Sequence, residues 1–396
     1  MIYLILICEP QFKGFEHSQF NAALITAVNN AFPNEKILFL SEKDHMSNIR
    51  KILDKNSIKI DFQYEEINVI PQNLIDPIRF PRELILFNHI FNIASKFNSN
   101  KVIISNIRRP SIVSIKLLIR KFKDINCYIV LHGILESIHN SPLKLTEIPF
   151  WFHFWLSIRN IDRLRYIVLG DSIKEELLKK IPSLESYILS IDHPYFFSEE
   201  NFNTTPNQKV VRFGFFGFGS IRKGIDLFFK LSNNIKNMET RFKPEFILIG
   251  SVQNQKLGPF TYKKVDILND SSAIIPSHKK PLSMEDFEMY AKTIDYALIL
   301  HSPQENSLTP MASFFDALSY LKPIIALKNP FLKYYFNQMG GIGYLCKDYY
   351  EIENLILQIL NDDLTETYDH QRNVMLNQRK KLSLEIIGKK LARMWD

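Results

Sequence analysis

Short apolar runs alternate with amphipathic segments along the first half of the chain. Runs at Ile2–Cys8, Lys36–Leu40, Glu66–Ile70, Lys101–Ile107, Cys127–Leu131 and Tyr166–Leu169 have the length and the β-branched content of strands. Between them, His17–Phe32, Arg82–Phe97 and Ile112–Phe122 repeat their apolar positions at helical spacing. Asp171-Ser172, with Glu175 and Glu176 behind it, opens a further helix. Past a polar stretch around Pro206 the alternation restarts at Val210–Phe216, Glu245–Ile249, Tyr296–Leu300 and Pro323–Leu327. Helices are expected over Glu351–Leu360 and Leu382–Trp395, and after Lys280-Pro281-Leu282-Ser283. Strand alternating with helix predicts an α/β fold of doubly wound, mainly parallel sheets. Two such sets predict a domain at 1–198, a linker at 199–209, a second domain at 210–380 and a C-terminal helix at 381–396. A chain of 396 residues, 46% of them hydrophobic, can fill two cores.

The most informative stretch is Val210 to Asp226, VVRFGFFGFGSIRKGID. Val211, Phe213, Phe215 and Phe216 read as a strand buried in a sheet. Gly217 and Gly219 allow a tight turn and close approach to a ligand. Arg222-Lys223-Gly224 then reads as a helix start, where free N–H groups, the positive end of the dipole and two cations suit a phosphate or diphosphate. The stretch lacks the GxxxxGK[ST] of a Walker loop and the GxGxxG of a dinucleotide fingerprint. Ligands of such sheets bind beyond the carboxyl ends of the strands, so the loops after Cys8, Leu131, Phe216, Ile249 and Leu300 are expected to line one cleft.

Charge sharpens this picture in one region only. Residues 101–165 carry eleven lysines and arginines against four acids, an excess equal to the +7 of the whole chain. Within it, Pro149–Leu156 (PFWFHFWL) is followed by Arg159, Arg163 and Arg165. Aromatics beside arginines fit either a helix lying on an anionic bilayer or a core helix with a solvated cationic face. No nucleic-acid motif accompanies the excess, and nucleic acid is not an expected partner. Cys8, Cys127 and Cys346 lie far apart in apolar runs and read as reduced core residues of a cytoplasmic protein. The N-terminal MIYLILIC is too short for a signal peptide or a span and lacks a basic flank.

Pro303–Leu327, PQENSLTPMASFFDALSYLKPIIAL, resembles the donor-binding block of GT-B nucleotide-sugar glycosyltransferases, in particular the group-1, GT4-like enzymes. Lys322-Pro323 and the apolar Ile324–Leu327 fill the end of that block, and Asp316 stands where the family has its second glutamate. The upstream GSIRKGID matches the family's glycine loop and places Lys223 at its diphosphate lysine. The resemblance covers residues 210–360 and over the first half is one of architecture. It implies two Rossmann-like domains facing a central cleft. The implied activity is transfer of a sugar from a nucleotide diphosphate sugar to a hydroxyl of a glycan or lipid-linked acceptor, in surface polysaccharide synthesis. No cofactor or metal is expected, since cations and helix N-termini can carry the diphosphate charge.

The residues fit that chemistry in their own right. A carboxylate one turn into a helix, Asp316, can accept both hydroxyls of a ribose. Thr309, Met311, Ala312 and Ser313 would supply amides and hydroxyls to the phosphates. Arg222 and Lys223 would neutralise the diphosphate leaving group, commonly the largest electrostatic contribution to such a transfer. In the first half, CYIVLHG delivers His132 from a buried strand end as a catalytic or sugar-positioning residue. Glu136, three residues before His139, would be the general base of an inverting enzyme. Lys13 and Gly14, in the loop after the first strand, would face the acceptor, with His17, His139 and His193 as weaker candidates.

Two positions depart from the family pattern. Phe218 replaces an arginine after the glycine, with Arg222 as its substitute, and Leu308 replaces the first glutamate of the Glu-x7-Glu pair, with Glu305 out of register. These departures sustain a second reading, a GT-B-shaped scaffold or partner subunit without catalysis. A nucleotide-sugar epimerase is a third, for which the sequence offers too few carboxylates.

Overall fold

The computed structural model describes residues 4–139, 145–158, 160–197, 209–252, 255–257, 260–262, 272–277, 282–301, 308–362 and 365–395. Residues 199–208 of the expected 199–209 linker, Arg159, Lys280-Pro281 and Glu305 lie outside them. The chain divides into two compact units. One comprises Met1–Phe196, Leu308–Pro310 and Leu382–Asp396; the other comprises Phe197–Ser307 and Met311–Lys381.

Among the described residues the first unit holds seven strands: β1 (Leu4–Cys8), β2 (Lys36–Ser41), β3 (Phe62–Glu66), β4 (Lys101–Ile104), β5 (Asn126–Val130), β6 (Leu164–Leu169) and β7 (Ile188–Ile191). All pair in parallel, in the order β3-β2-β1-β4-β5-β6-β7. Every residue of β1 is buried, which explains why such strands read as unbroken apolar runs. Strand order reverses between β1 and β4, and that is where a doubly wound sheet opens a crevice. The closing helix Leu384–Trp395 belongs to this unit. It lies so tightly on the helix Ser18–Ala31 that a Cβ on Gly388 would come within 2.8 Å of the Ala27 carbonyl oxygen. Trp395 stacks on Phe32 at 4.8 Å.

The second unit is built around β8 (Val210–Gly219), β9 (Lys243–Val252), β12 (Tyr296–Ile299), β13 (Ile324–Leu327) and β14 (Gly343–Cys346), ordered β14-β13-β12-β8-β9 and parallel throughout. The hairpin β10 (Gln255–Leu257) and β11 (Phe260–Tyr262) stands apart. Ile274 extends the sheet beyond β9: its amide donates to Phe246 O at 2.7 Å and its carbonyl accepts from Leu248 N at 2.9 Å. Phe213 and Phe215 pack with Phe228, Phe246 and Tyr296 in the core. The reversal of order falls between β8 and β12.

Several elements differ from the pattern-based expectation. The strand expected at Glu66–Ile70 is Phe62–Glu66; β3 is a half-exposed edge, and the apolar Ile67, Val69 and Ile70 are buried just after it. The helix expected from Arg82 begins at Asp76, with Pro77 in its first turn and Pro81 inside it. The helix Lys43–Lys55 was not anticipated, although its buried Met46, Ile49, Ile52 and Leu53 keep helical spacing. β8 does not end at Phe216 but runs through Gly219, and the α-helix starts at Ile225 rather than at Arg222, after a 3-10 turn Ile221–Lys223.

The basic region is partly turned inward. Buried Lys116 donates to the carbonyls of Trp155 and Ile158 and to Asn160, closing the C-terminal end of the short helix Phe152–Ser157. Arg163 donates to Phe122 O at 2.7 Å, and Arg109 pairs with Asp76 at 2.8 Å. Among the described residues no helix is long and apolar enough to cross a membrane.

Gly224 offers a direct test of this framework. It sits at φ 78°, and a Cβ there would lie 2.2 Å from the Leu300 carbonyl oxygen. Gly224→Ala should cost ~2 kcal/mol or more through strain and backbone displacement, read as a lower urea midpoint, whereas Gly133→Ala, with nothing within 4 Å, should cost less.

Candidate functional site

The glycine pattern of the second unit determines what gathers at its switch point. Gly217 adopts φ 85°, and Gly250 on β9 lies so close that a Cβ would be 1.9 Å from the Gly217 carbonyl oxygen. The hydroxyl of Ser220 accepts from Lys223 N at 3.3 Å and closes the turn that carries Arg222 and Lys223. Gly224 then presses against Leu300, so this turn is held against the end of β12. Gly219 is packed on Ile225.

Burial pushes the Lys223 ammonium below the usual lysine range; the Asp316 carboxylate opposes this shift and Arg222 adds to it. Asp316 on the helix Ala312–Ser319 and Lys223 on the turn therefore belong to one electrostatic cluster, while Arg222 is exposed. Met311, buried, precedes that helix without capping it, and its sulfur accepts from Asn329 Nδ2 at 3.8 Å. Ala312 is exposed in the first turn, and the buried Oγ of Ser313 has no hydrogen-bond partner among the described residues. Phe218 is 44% exposed.

His301, directly after β12, went unnoticed in the sequence. Its position behind YALIL, at the end of a buried strand, was the available signal. The side chain is 7% exposed and its Nδ1 has no partner among the described residues. Burial, and then the charges of Lys223 and Arg222, hold its pKa down to about 3.

The first unit gathers a different set beyond β1 and β4. Glu9, fully buried, accepts from Gln11 N (2.9 Å), Phe12 N (3.2 Å), Asn21 Nδ2 (3.1 Å) and Ser105 Oγ (3.0 Å). Burial alone would raise its pKa; contacts with His17, Asn21 and Gln11 bring it below the usual range. Buried Arg79 donates to Gln11 Oε1 and to Glu83 at 2.5 Å. The expected helix, Arg82–Phe97, includes Glu83 but not Arg79, one turn before it, so the sequence does not show the pair. The Gly14 amide donates to Glu42 Oε2 at 3.1 Å, and its carbonyl lies 3.0 Å from His45 Nδ1; the Lys13 side chain is exposed.

His132 leaves the end of β5 and stacks on His17 at 4.3 Å, with Phe20 at 4.6 Å and the edge of His193 at 5.2 Å. Burial pushes the pKa of His132 well below its ordinary value, and neighbouring His17 and His193 add to the shift; burial and His17 take His193 to about 3. Glu136 accepts from Thr309 Oγ1 at 3.1 Å and from Leu308 N at 3.3 Å, all three in the first unit. Thr309, expected beside the phosphates, thus spends its hydroxyl on Glu136. Leu308 is fully buried. Among the described residues no group of three or more His, Cys, Asp or Glu side chains is arranged to hold a metal ion.

No protein-family model and no curated protein sequence matches the chain. Solved structures do. HepE of Anabaena, crystallised with UDP and glucose, is 12% identical with a TM-score of 0.64, covering 99% of both chains. TarM of S. aureus, in a complex that includes UDP, is 11% identical with a TM-score of 0.65 over 100% of both. WaaG, a glycosyltransferase involved in lipopolysaccharide biosynthesis, is 10% identical with a TM-score of 0.60 over 98% of this chain and 99% of its own. The fold is GT-B. At these identities the likeness is one of fold, and the GT-B switch points are where the two polar clusters above lie.

The histidines give this fold a pH signature. Each of His132, His193 and His301 has a folded pKa below its ordinary value of 6.5, so the unfolded chain takes up protons that the folded one refuses. Their contribution to stability is complete above pH 6.5 and is lost as pH falls toward 3, at up to roughly 1.4 kcal/mol per pH unit for each. The melting temperature should therefore drop steadily from pH 6.5 to 5, and His193→Leu should flatten that slope.

Proposed function

We propose that this chain is a GT-B glycosyltransferase of the GT4-like kind, moving a sugar from a nucleotide diphosphate sugar to a hydroxyl of a glycan or lipid-linked acceptor. The observation that carries the reading is the cluster at the β8/β12 switch point. There Gly217 and Gly224 take left-handed φ, Gly219 packs on Ile225, Arg222 and Lys223 supply cations, and Asp316 supplies a carboxylate that acts on Lys223. In the transfer, the cations stabilise charge that accumulates on the departing diphosphate, and Asp316 holds the ribose hydroxyls. The amide of Ser313 and its buried hydroxyl add donors at a helix start that no side chain caps. Nucleotide-sugar donors are consistent with the UDP and glucose bound by HepE. Surface polysaccharide synthesis is consistent with WaaG. Peripheral contact of residues 101–165 with an anionic membrane is supported by the exposure of Leu145 (84%), Ile148 (49%) and Phe154 (44%).

A noncatalytic scaffold remains the second reading, favoured by Leu308, which is fully buried where the family carries a sugar-binding glutamate. Thermal shift and calorimetry with UDP, GDP, dTDP, CMP and their sugars separate the two. Under the enzyme reading one nucleotide binds selectively. Lys223→Ala then weakens it about tenfold to a hundredfold, as loss of a charge-assisted contact does, and Asp316→Ala cuts turnover by orders of magnitude. A scaffold binds none of them and keeps its shape in both variants.

A further inference from the structure

The donor reading accounts for Lys223, Arg222 and Asp316 but leaves His301 without a task. Its position is set by the fold. It follows Leu300, the residue against which Gly224 is pressed, so the His301 backbone and the Lys223 turn are held side by side by a contact that admits no side chain. The imidazole is 93% removed from solvent, and its Nδ1 meets no acceptor among the described residues. A buried ring nitrogen left unsatisfied is costly. The charged groups that act on it are Lys223 and Arg222 on the turn, and Asp316 of the helix Ala312–Ser319 acts in turn on Lys223. Two cations and a buried imidazole, on two different elements at one switch point, form a donor set suited to an anion with oxygens on more than one centre.

We infer that His301 is a third ligand of the donor diphosphate, neutral in the unliganded protein, taking up a proton from solvent as the diphosphate binds and donating from Nδ1 to a phosphate oxygen. The inference rests on the donor reading above. Its physical basis is charge inversion. Without ligand, the two cations disfavour a third positive charge; a bound diphosphate reverses the sign of the local potential, and the imidazolium becomes the favoured form. Binding and protonation are then linked, so affinity rises as pH falls. No bond of the sugar nucleotide changes in this step; an N–H bond forms on His301 and the buffer acid loses the same proton. The proton comes from buffer, and its return on product release resets the site.

The test uses the full chain with UDP-glucose and GDP-glucose, whose diesterified phosphates do not titrate between pH 6 and 8.5. Calorimetry in buffers of different ionisation enthalpy should show uptake of a fraction of a proton, on the order of half, at pH 7. Affinity should climb from pH 8.5 to 6. His301→Ala should weaken binding about tenfold. His301→Asn, which keeps a donor near the Nδ1 position, should recover part of the affinity while taking up less proton than wild type and showing a flatter pH dependence, any remainder coming from Lys223, whose ammonium burial also pushes down. Binding by wild type that Lys223→Ala weakens, but with no proton uptake and with His301→Asn indistinguishable from wild type, would overturn the assignment and leave the donor site standing. Absence of binding to either sugar nucleotide and to the other nucleotides of the screen would overturn both.

Discussion

The contact between the Gly224 backbone and Leu300 is the constraint on which the second unit's chemistry depends. A parallel sheet that reverses its strand order sends successive connections to opposite faces and opens a crevice between two neighbouring strands. Here those strands are β8 and β12. What enters the crevice depends on how close their following segments can come. Gly224, at φ 78° and against a carbonyl oxygen, brings the Arg222-Lys223 turn onto the end of β12 at a distance no side-chain-bearing residue permits. Lys223, His301 and Asp316 come from a turn, a strand end and a helix. Lys223 interacts electrostatically with both of the others.

The first unit solves the same topology with different chemistry. Beyond β1 and β4 it places a buried carboxylate, Glu9, and satisfies it with four donors from its own chain. Gln11, Arg79, Glu83 and Ser111 continue this network, which ties the loop after β1 to two helices. Charges buried in pairs hold geometry; breaking one partner is what costs. At its switch point the second unit keeps a desolvated lysine, with Ser313 Oγ and His301 Nδ1 meeting no partner among the described residues, as Glu83 Oε2 and His132 Nδ1 do in the first. One unit uses its switch point to fix a loop; the other has chemistry there suited to an anion.

Periodicity was enough to read the architecture, because buried parallel strands leave unbroken apolar runs and their crossovers leave helical stripes. It did not mark β7, nor the half-exposed β14, and it misplaced β3, an edge whose apolar residues come after it rather than within it. The site was legible as far as residue type implies chemistry: glycines, the Arg222-Lys223 pair and the Asp316 carboxylate. Positions defined by contact were not. Nothing local to Thr309 announces that its hydroxyl is donated to Glu136, 173 residues earlier. Likewise Arg79 lies one turn before the expected helix start at Arg82, and its pairing with Glu83 shows only once the helix is seen to begin at Asp76. Phe218, by contrast, was visible as a departure, and its exposure gives it no role in the core.

The same contacts bear on how a proton would be handled in the first unit. Glu136 Oε1 accepts from Thr309 and Leu308, which ties this carboxylate to residues 308–309 through one of its two oxygens. His132 is enclosed by His17, Phe20 and His193, and burial keeps it neutral across the physiological range. An imidazole whose conjugate acid is that strong gains little by taking a proton, because effective bases have pKa values near the working pH. A neutral ring with an unpaired Nδ1 among the described residues is instead well suited to hold a hydroxyl in place. Under the proposed reading, His132 is therefore a positioning group rather than a base.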